Sequence, residues 1–532
     1  MSTVDASDHD VVLAIDLGSG GPKTAFVSLG GDVLDHVHTR VEMSTLPDDG
    51  VVEDPNEWWS AICAGTNELV ARGSLDPDQI VAVAVTGQWG STVPVDRHGQ
   101  AVGDCIMWLD QRARALARAQ LGGKLAVDGY RPRLGIEFVR RAGGAPNPQG
   151  NDPLGHRLWI EQREPDRYRR TAAFVEPIDY VNLRFTGKLH ATQATMLASW
   201  LTDNRILDAT SYDPLLVRFS GTDPGRLPPL LPIRSIVGPI TEDAAASTGV
   251  PAGIPVVTGL PDLHTAALGS GAIDDYHGHL AISTSAWVGC HTPDKRTSLQ
   301  HQMATVPAAL PDRYILANNH DCGGVSLEWL RDRVIAPDDL LGAGDAPALR
   351  LLDELAASVP PGANGVMFAP WLKGGRTPVS DTSMRASFLN LGIDSGRAEM
   401  VRAVLEGISH QLRWILESAE KVLKHPIHDL RVIGGGAQSD LWCQIQSDVL
   451  NRPVHRVTDP LLVNVRGAAL FAGVVTGRID QRSITSRATI DRVFRPDPDA
   501  ADLLGQRHEQ FLGLAKSQQG FHHALNRVRR SR

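Results

Sequence analysis

The sequence predicts a two-domain α/β protein with its site between the halves. Three observations predict it: the length, an alternation of strand-like and helix-like stretches, and two glycine-bounded acidic turns far apart in the chain. At 532 residues the chain exceeds what one hydrophobic core holds and divides into two domains of about 250 residues each. The border is expected at Gly253-Ile254-Pro255, giving domains 1–255 and 256–532. The first turn is Ala14-Ile15-Asp16-Leu17-Gly18-Ser19-Gly20-Gly21, and the second is Thr258-Gly259-Leu260-Pro261-Asp262-Leu263. Two such turns suggest two halves facing one nucleotide-dependent site.

Val11-Val12-Leu13-Ala14-Ile15 reads as a buried strand. The glycines and serine after it let backbone N–H groups come close to a phosphate. Asp16 is placed to hold Mg²⁺ through water, since Mg²⁺ takes few carboxylates beside phosphate oxygens; an Asx turn closing a hairpin is the alternative. Residues 24–29 and 33–41 continue as a meander with Gly30-Gly31 at the bend. Residues 56–72 follow as a helix, with Trp59, Ile62, Cys63, Leu69 and Val70 at helical spacing. Residues 80–86 form another buried strand ending at Gln88 and Trp89, and strand ends are where α/β folds bind ligands. The stretch 121–166, rich in Gly, Arg and Pro, is expected to be irregular: a functional loop system or an insertion.

In the second domain, residues 278–290 read as strand-turn-strand. Leu280-Ala281-Ile282-Ser283-Thr284-Ser285 echoes Leu13-Ala14-Ile15-Asp16-Leu17-Gly18, a weak internal duplication. Helices are expected over 326–333, 397–423 and 440–450. The long one carries Val401, Val404, Leu405, Ile408, Leu412, Trp414, Ile415 and Ala419 mostly on one face, as a core stripe. A strand over 430–433 runs into Gly434-Gly435-Gly436-Ala437-Gln438, where backbone can approach a flat ligand; a tight strand-to-helix turn is the alternative. The basic end, Arg527 to Arg532, reads as a solvated terminus.

Composition narrows the function classes. With 42% hydrophobic and 21% charged residues the chain is an ordinary globular protein. Its 52 Lys plus Arg against 61 Asp plus Glu, a net charge of −9, leave no basic surplus for nucleic acid or an anionic membrane. Cys63, Cys105, Cys290, Cys322 and Cys443 are scattered, with no zinc-like spacing and no disulfide framework, and a reducing cytoplasm is expected. Residues 1–10 are acidic and polar, so no signal peptide is read there. Neither G-x-G-x-x-G nor G-x-x-x-x-G-K-[ST] occurs.

The order of motifs resembles the FGGY family of carbohydrate kinases over nearly the whole chain. Asp16 to Lys23 looks like its first phosphate turn, Val52-Glu53-Asp54-Pro55-Asn56-Glu57-Trp58-Trp59 like its acidic-Pro-Trp segment. Thr86-Gly87-Gln88-Trp89-Gly90 and Trp108-Leu109-Asp110-Gln111-Arg112 look like its sugar-binding segments. The Asp262 turn, Ser283-Thr284-Ser285, Phe368-Ala369-Pro370-Trp371, Glu406-Gly407, the Gly434 turn and Gly467-Ala468-Ala469 complete the series.

The resemblance implies two actin/hexokinase/Hsp70-like (ribonuclease H-like) domains around a closing cleft. The activity implied is transfer of the γ-phosphoryl of MgATP to a hydroxyl of a small sugar or polyol. It implies Asp262 as the base that takes the hydroxyl proton, with a helix N-cap as the alternative. Gln88, Trp89, Gly90, Asp110, Asp262 and Leu263 would bind the acceptor. Gly18, Ser19, Gly20, Lys23, Ser283, Thr284 and Ser285 would meet the phosphates of ATP, and Gly434, Gly435, Gly436, Ala437 and Gln438 its nucleoside. The partners expected are thus a sugar or polyol and ATP; the oligomeric state is open, with a homodimer as one outcome.

Within the family a ketopentose such as xylulose is the expected acceptor. The chain departs from xylulose kinases where Gly90 and Leu263 replace a His and an Asn, which removes hydrogen-bonding groups. A non-catalytic sugar-binding or regulatory protein on the same fold is the alternative the departures allow. An Hsp70-type ATPase is disfavoured because no peptide-binding domain follows.

Overall fold

The computed structural model describes residues 10–73, 75–123, 126–127, 129–340, 342–343 and 345–527. Residues 1–9, read as lacking a signal, and 528–532 of the basic end lie outside the described residues.

The first sheet opens with the expected meander: β1 (Val11–Gly18), β2 (Gly21–Ser28) and β3 (Val33–His38), antiparallel in turn. Helix α1 (Pro55–Ala71) starts where Asp54 accepts the Asn56 N–H and Pro55 presets the first turn, and it buries Trp58, Trp59, Ile62 and Leu69. It returns the chain to β4 (Ile80–Gly87), parallel to β1. Both central strands are near-continuous apolar runs because both of their faces are covered.

Two short strands, β5 (Pro255–Val257) and β6 (Leu260–Pro261), also run parallel to β4. The border expected between 255 and 256 therefore falls inside the first sheet, because Val256 pairs with Val83. Helix α2 (Asp262–Ser270) then leaves this sheet.

The second sheet repeats the plan. β7 (His277–Ile282), β8 (Ala286–Thr292) and β9 (Tyr314–Ala317) form a meander. Helix α3 (Arg397–Leu423) leads to β10 (His428–Ile433), and α4 (Asp440–Leu450) to β11 (Val454–Val457), both strands parallel to β7. The orders β3-β2-β1-β4-β5 and β9-β8-β7-β10-β11 match position for position, the ribonuclease H-like arrangement. The echo between residues 13–18 and 280–285 is thus a topological repeat.

Helix α5 (Val463–Val475) follows β11 of the second sheet but lies on the first, packing Ala468, Ala469 and Phe471 against Val12, Ala14, Val27, Ala82 and Ala84. It crosses α2 at two glycines. A methyl at Gly269 would run into the Val463 carbonyl and lie 2.8 Å from the Gly467 nitrogen; one at Gly467 would run into the Thr265 carbonyl. Arg466 of α5 donates to the Gly31 carbonyl at 2.8 Å, tying the second half to the first.

The stretch 121–166 is not irregular. It holds the helices Pro132–Ala142, Pro153–Arg163 and Pro165–Arg170, the first two packed around Leu134, Phe138, Leu154 and Leu158. Each opens with a proline in its first turn, where the missing N–H costs nothing, so a residue read as a breaker is a start signal. No helix among the described residues is long and apolar enough to cross a membrane.

Candidate active site

The turn between β1 and β2 consists of Ser19 and Gly20, closed by the pair Gly18 and Gly21. Gly21 has φ +108°, and a side chain there would strike the backbone of Thr39 to Val41; only glycine fits. Around the Cα of Gly20 there is open space, so a ligand can reach its backbone. Lys23 Nζ donates to Asp16 Oδ2 at 3.2 Å, which sets a cation beside the carboxylate at the turn. Ser19 Oγ donates to Gln88 Oε1 at 3.2 Å and accepts from Trp108 Nε1 at 3.4 Å.

Asp16 and Leu260 both stand level with Thr86 of β4, so the two acidic turns end at the same edge of one sheet. Asp262 is the first residue of α2, one position past Pro261 at the cap. Its Oδ1 accepts the Leu263 N–H at 2.7 Å, and the Trp89 indole also donates to the carboxylate. Desolvation, helped by the nearby Asp16 charge, pushes the Asp262 carboxyl up to about 7, against the pull of those two hydrogen bonds. Leu263 is buried with Leu197 and Val306, and Trp89 and Trp287 pack on the same cluster.

Gln88 is fixed by its N–H to the Leu17 carbonyl at 2.8 Å, and its side chain reaches Glu53 Oε2 at 3.5 Å. Glu53 also accepts from Trp58 Nε1 at 2.7 Å, and burial pushes its carboxyl up to about 7. Gly90, at φ +83°, donates its N–H to Glu176. Asp110, expected to bind acceptor hydroxyls, is committed elsewhere: it accepts from the Val51 N–H at 2.9 Å and from Arg112 Nε at 2.8 Å, with its side chain 3% exposed. In this structure it braces Arg112 against the strand that carries Val51.

In the second half, Ser283, Thr284 and Ser285 form the turn between β7 and β8, with Ser283 and Thr284 exposed. The carbonyls of Ser283 and Thr284 accept from the Gly324 and Gly323 N–H groups at 2.6 and 2.9 Å. A side chain on either glycine would strike the turn, so this pair, not anticipated from sequence, sets its shape. Gly434, at φ +88°, lies against Ile282, where a Cβ would stand 2.5 Å from the carbonyl oxygen. The loop Gly434-Gly435-Gly436-Ala437-Gln438 thereby sits beside the Ser283 turn, with Gly435 and Gln438 exposed. Helix α2 joins the halves, packing Ala266 against Ala281 and Ile433.

One edge of the first sheet thus carries a glycine turn, a lysine beside a carboxylate and a second carboxylate of raised pKa, and the second half carries a hydroxyl turn beside a glycine loop. The N-terminal domain of the FGGY family of carbohydrate kinases matches residues 11–269, and its C-terminal domain matches 280–476. The first match runs past 255, as the first sheet does. The chain is similar to a xylulose kinase of Staphylococcus epidermidis, 27% identical over 510 residues, covering 95% of this chain and 97% of that protein. It is also similar to a glycerol kinase of Gloeobacter violaceus, 28% identical over 508 residues, covering 93% and 94%. Among solved structures, a gluconate kinase from Lactobacillus acidophilus shares the fold, with TM-score 0.83 at 19% identity over 97% of this chain and 99% of that one. Both domains match in order and over most of the sequence, and the chain accordingly belongs to the FGGY family of carbohydrate kinases, as an ATP-dependent sugar kinase.

Proposed function

We propose that the enzyme transfers the γ-phosphoryl of MgATP to a hydroxyl of a ketopentose such as xylulose, with Asp262 as general base. The observation that carries this reading is the Asp262 carboxyl itself. It is desolvated to about 7, bonded by the Trp89 indole and placed beside Asp16. A base poised near working pH can take the acceptor proton as the oxygen attacks the γ-phosphorus and ADP departs.

The acceptor lies over Gln88, Trp89, Gly90 and Leu263, with the indole against its carbon face. Gly18, Ser19, Gly20 and Lys23 meet the phosphates from one side; Ser283, Thr284 and Ser285 meet them from the other. The nucleoside rests on Gly434, Gly435, Gly436, Ala437 and Gln438. Asp16 is a single strand-end carboxylate, which suits Mg²⁺ held through water; the ion supplies charge neutralisation at the phosphates. The xylulose kinase similarity supports a ketopentose, while Leu263 and Gly90 favour an acceptor that asks for few hydrogen bonds at those two places.

ADP release from MgATP against ketopentoses, ketohexoses, aldonates and four- to six-carbon polyols tests the substrate. Saturable turnover on a ketopentose is expected; turnover confined to glycerol or an aldonate would overturn that choice. Because the base acts deprotonated, kcat/KM should rise with pH through a midpoint near 7 and level off above it. Trp89→Ala should raise the acceptor KM about tenfold. Trp89→Phe, which keeps an aromatic wall but no N–H, should move that midpoint upward, since the indole bond holds the carboxyl down; an unmoved midpoint would remove Trp89 from contact with the base.

A further inference from the structure

The short segment that carries the acceptor contacts has its own foundation. After β4 the chain crosses the strand end as an arch of Gly87, Gln88, Trp89 and Gly90. At Gly87 a side chain would collide with the Leu17 carbonyl, and the Gln88 N–H donates to that same carbonyl at 2.8 Å. That pins the near end to β1. The far end is pinned by Glu176, whose Oε2 accepts the Gly90 N–H at 2.8 Å in a fully buried contact spanning 86 residues of sequence.

Glu176 is 1% exposed, an expensive place for a carboxylate. Burial holds its pKa well above the ordinary range, Asp179 adds to the rise, and the Gly90 and Ser91 N–H groups and Arg157 oppose it. Its other oxygen finds no hydrogen-bond partner among the described residues. The residue precedes the helix Pro177–Thr186, yet its side chain makes no capping bond there. Local helix chemistry thus does not account for it, and an apolar residue would fill the space at lower cost. What its carboxylate does is accept from the arch.

We propose that Glu176 is a positioning residue for the acceptor. It clamps Gly90 so that Trp89 keeps its indole on Asp262, and it thereby governs acceptor binding without touching the acceptor or the reacting atoms. The inference rests on the reading of Trp89 as the acceptor wall.

Glu176→Ala removes the accepting oxygen, and Glu176→Gln keeps one in a neutral group of the same size. Amide hydrogen exchange over residues 87–92 reads the clamp without any ligand. KM for D-xylulose, or for the panel acceptor turned over fastest, and KM for ATP read the consequence. In Glu176→Ala, exchange over the arch should quicken at least about tenfold and the acceptor KM should rise about tenfold or more, with the ATP KM within about twofold. Glu176→Gln should restore both. Unchanged exchange in Glu176→Ala would overturn the clamp. Faster exchange with the two KM values unmoved, or moving together, would overturn the positioning role. Should the alanine variant fail to fold, Glu176→Leu, which fills the space without an acceptor oxygen, is judged by the same readouts. Should no acceptor be phosphorylated, the acceptor reading fails on that ground, and the exchange comparison still decides the clamp.

Discussion

Asp262→Asn should lower kcat by roughly 100- to 10,000-fold while leaving both KM values within a few-fold, because the amide keeps shape and hydrogen bonds but cannot take a proton. The residual rate should lose its rise through pH 7. The same variant should be more stable than the wild type at pH 8. The folded carboxyl titrates near 7 against 3.8 for an ordinary aspartate, so its favourable contribution is complete below about 4 and is lost as pH rises through 7. The difference in melting temperature between the two proteins should therefore open between about pH 4 and 7 and stay constant above. A loss of activity accompanied by lower stability at pH 8 would mean that Asp262 is a structural residue.

Gly467→Ala should be strongly destabilising. In an isolated helix this change stabilises by about 1 kcal/mol, since alanine is the better helix former. Here the methyl would meet the Thr265 carbonyl, and backbone cannot give way as a side chain does. Overpacking costs typically about 1–3 kcal/mol and more where nothing flexes, so collision wins over propensity. Helices α2 and α5 must separate, and α2 carries Asp262 at its first turn. A clear drop in melting temperature, together with weaker turnover in whatever folds, is expected from thermal unfolding and ADP release. Gly473→Ala on the same helix is the control: its methyl would press mainly on Leu29 and Ile479 side chains, which can shift. Equal damage from the two would discount the helix crossing.

Where periodicity was strong, sequence and structure agree closely. The helices expected over 397–423 and 440–450 are Arg397–Leu423 and Asp440–Leu450, each with a clear apolar face and a polar boundary. The strand-turn-strand units around Asp16 and Ser283 were also legible, because glycine-bounded turns after buried runs are local signals. Three things were not. The helices in 121–166 were masked by prolines that begin them. The pairing of β5 with the first sheet was hidden because its partner, Val83, lies far back in the chain. Glu176, Gly323, Gly324 and Trp287 reach the site from segments with no motif of their own, and Asp110 looked available because no local pattern reveals that Arg112 and Val51 engage it.

The placement of α5 bears on how the protein is made. The underside of the first sheet, with Val12, Ala14, Ala82 and Ala84, is covered by a helix that ends at residue 475. At translation rates of roughly 5–20 residues per second, the 205 residues from the end of α2 at 270 to 475 take about 10–40 s to emerge. Through that interval a nascent first half lacks the helix that covers this apolar sheet face. The amino-terminal half is therefore a poor candidate for separate expression, and a holdase on the ribosome has a defined stretch of synthesis in which to act.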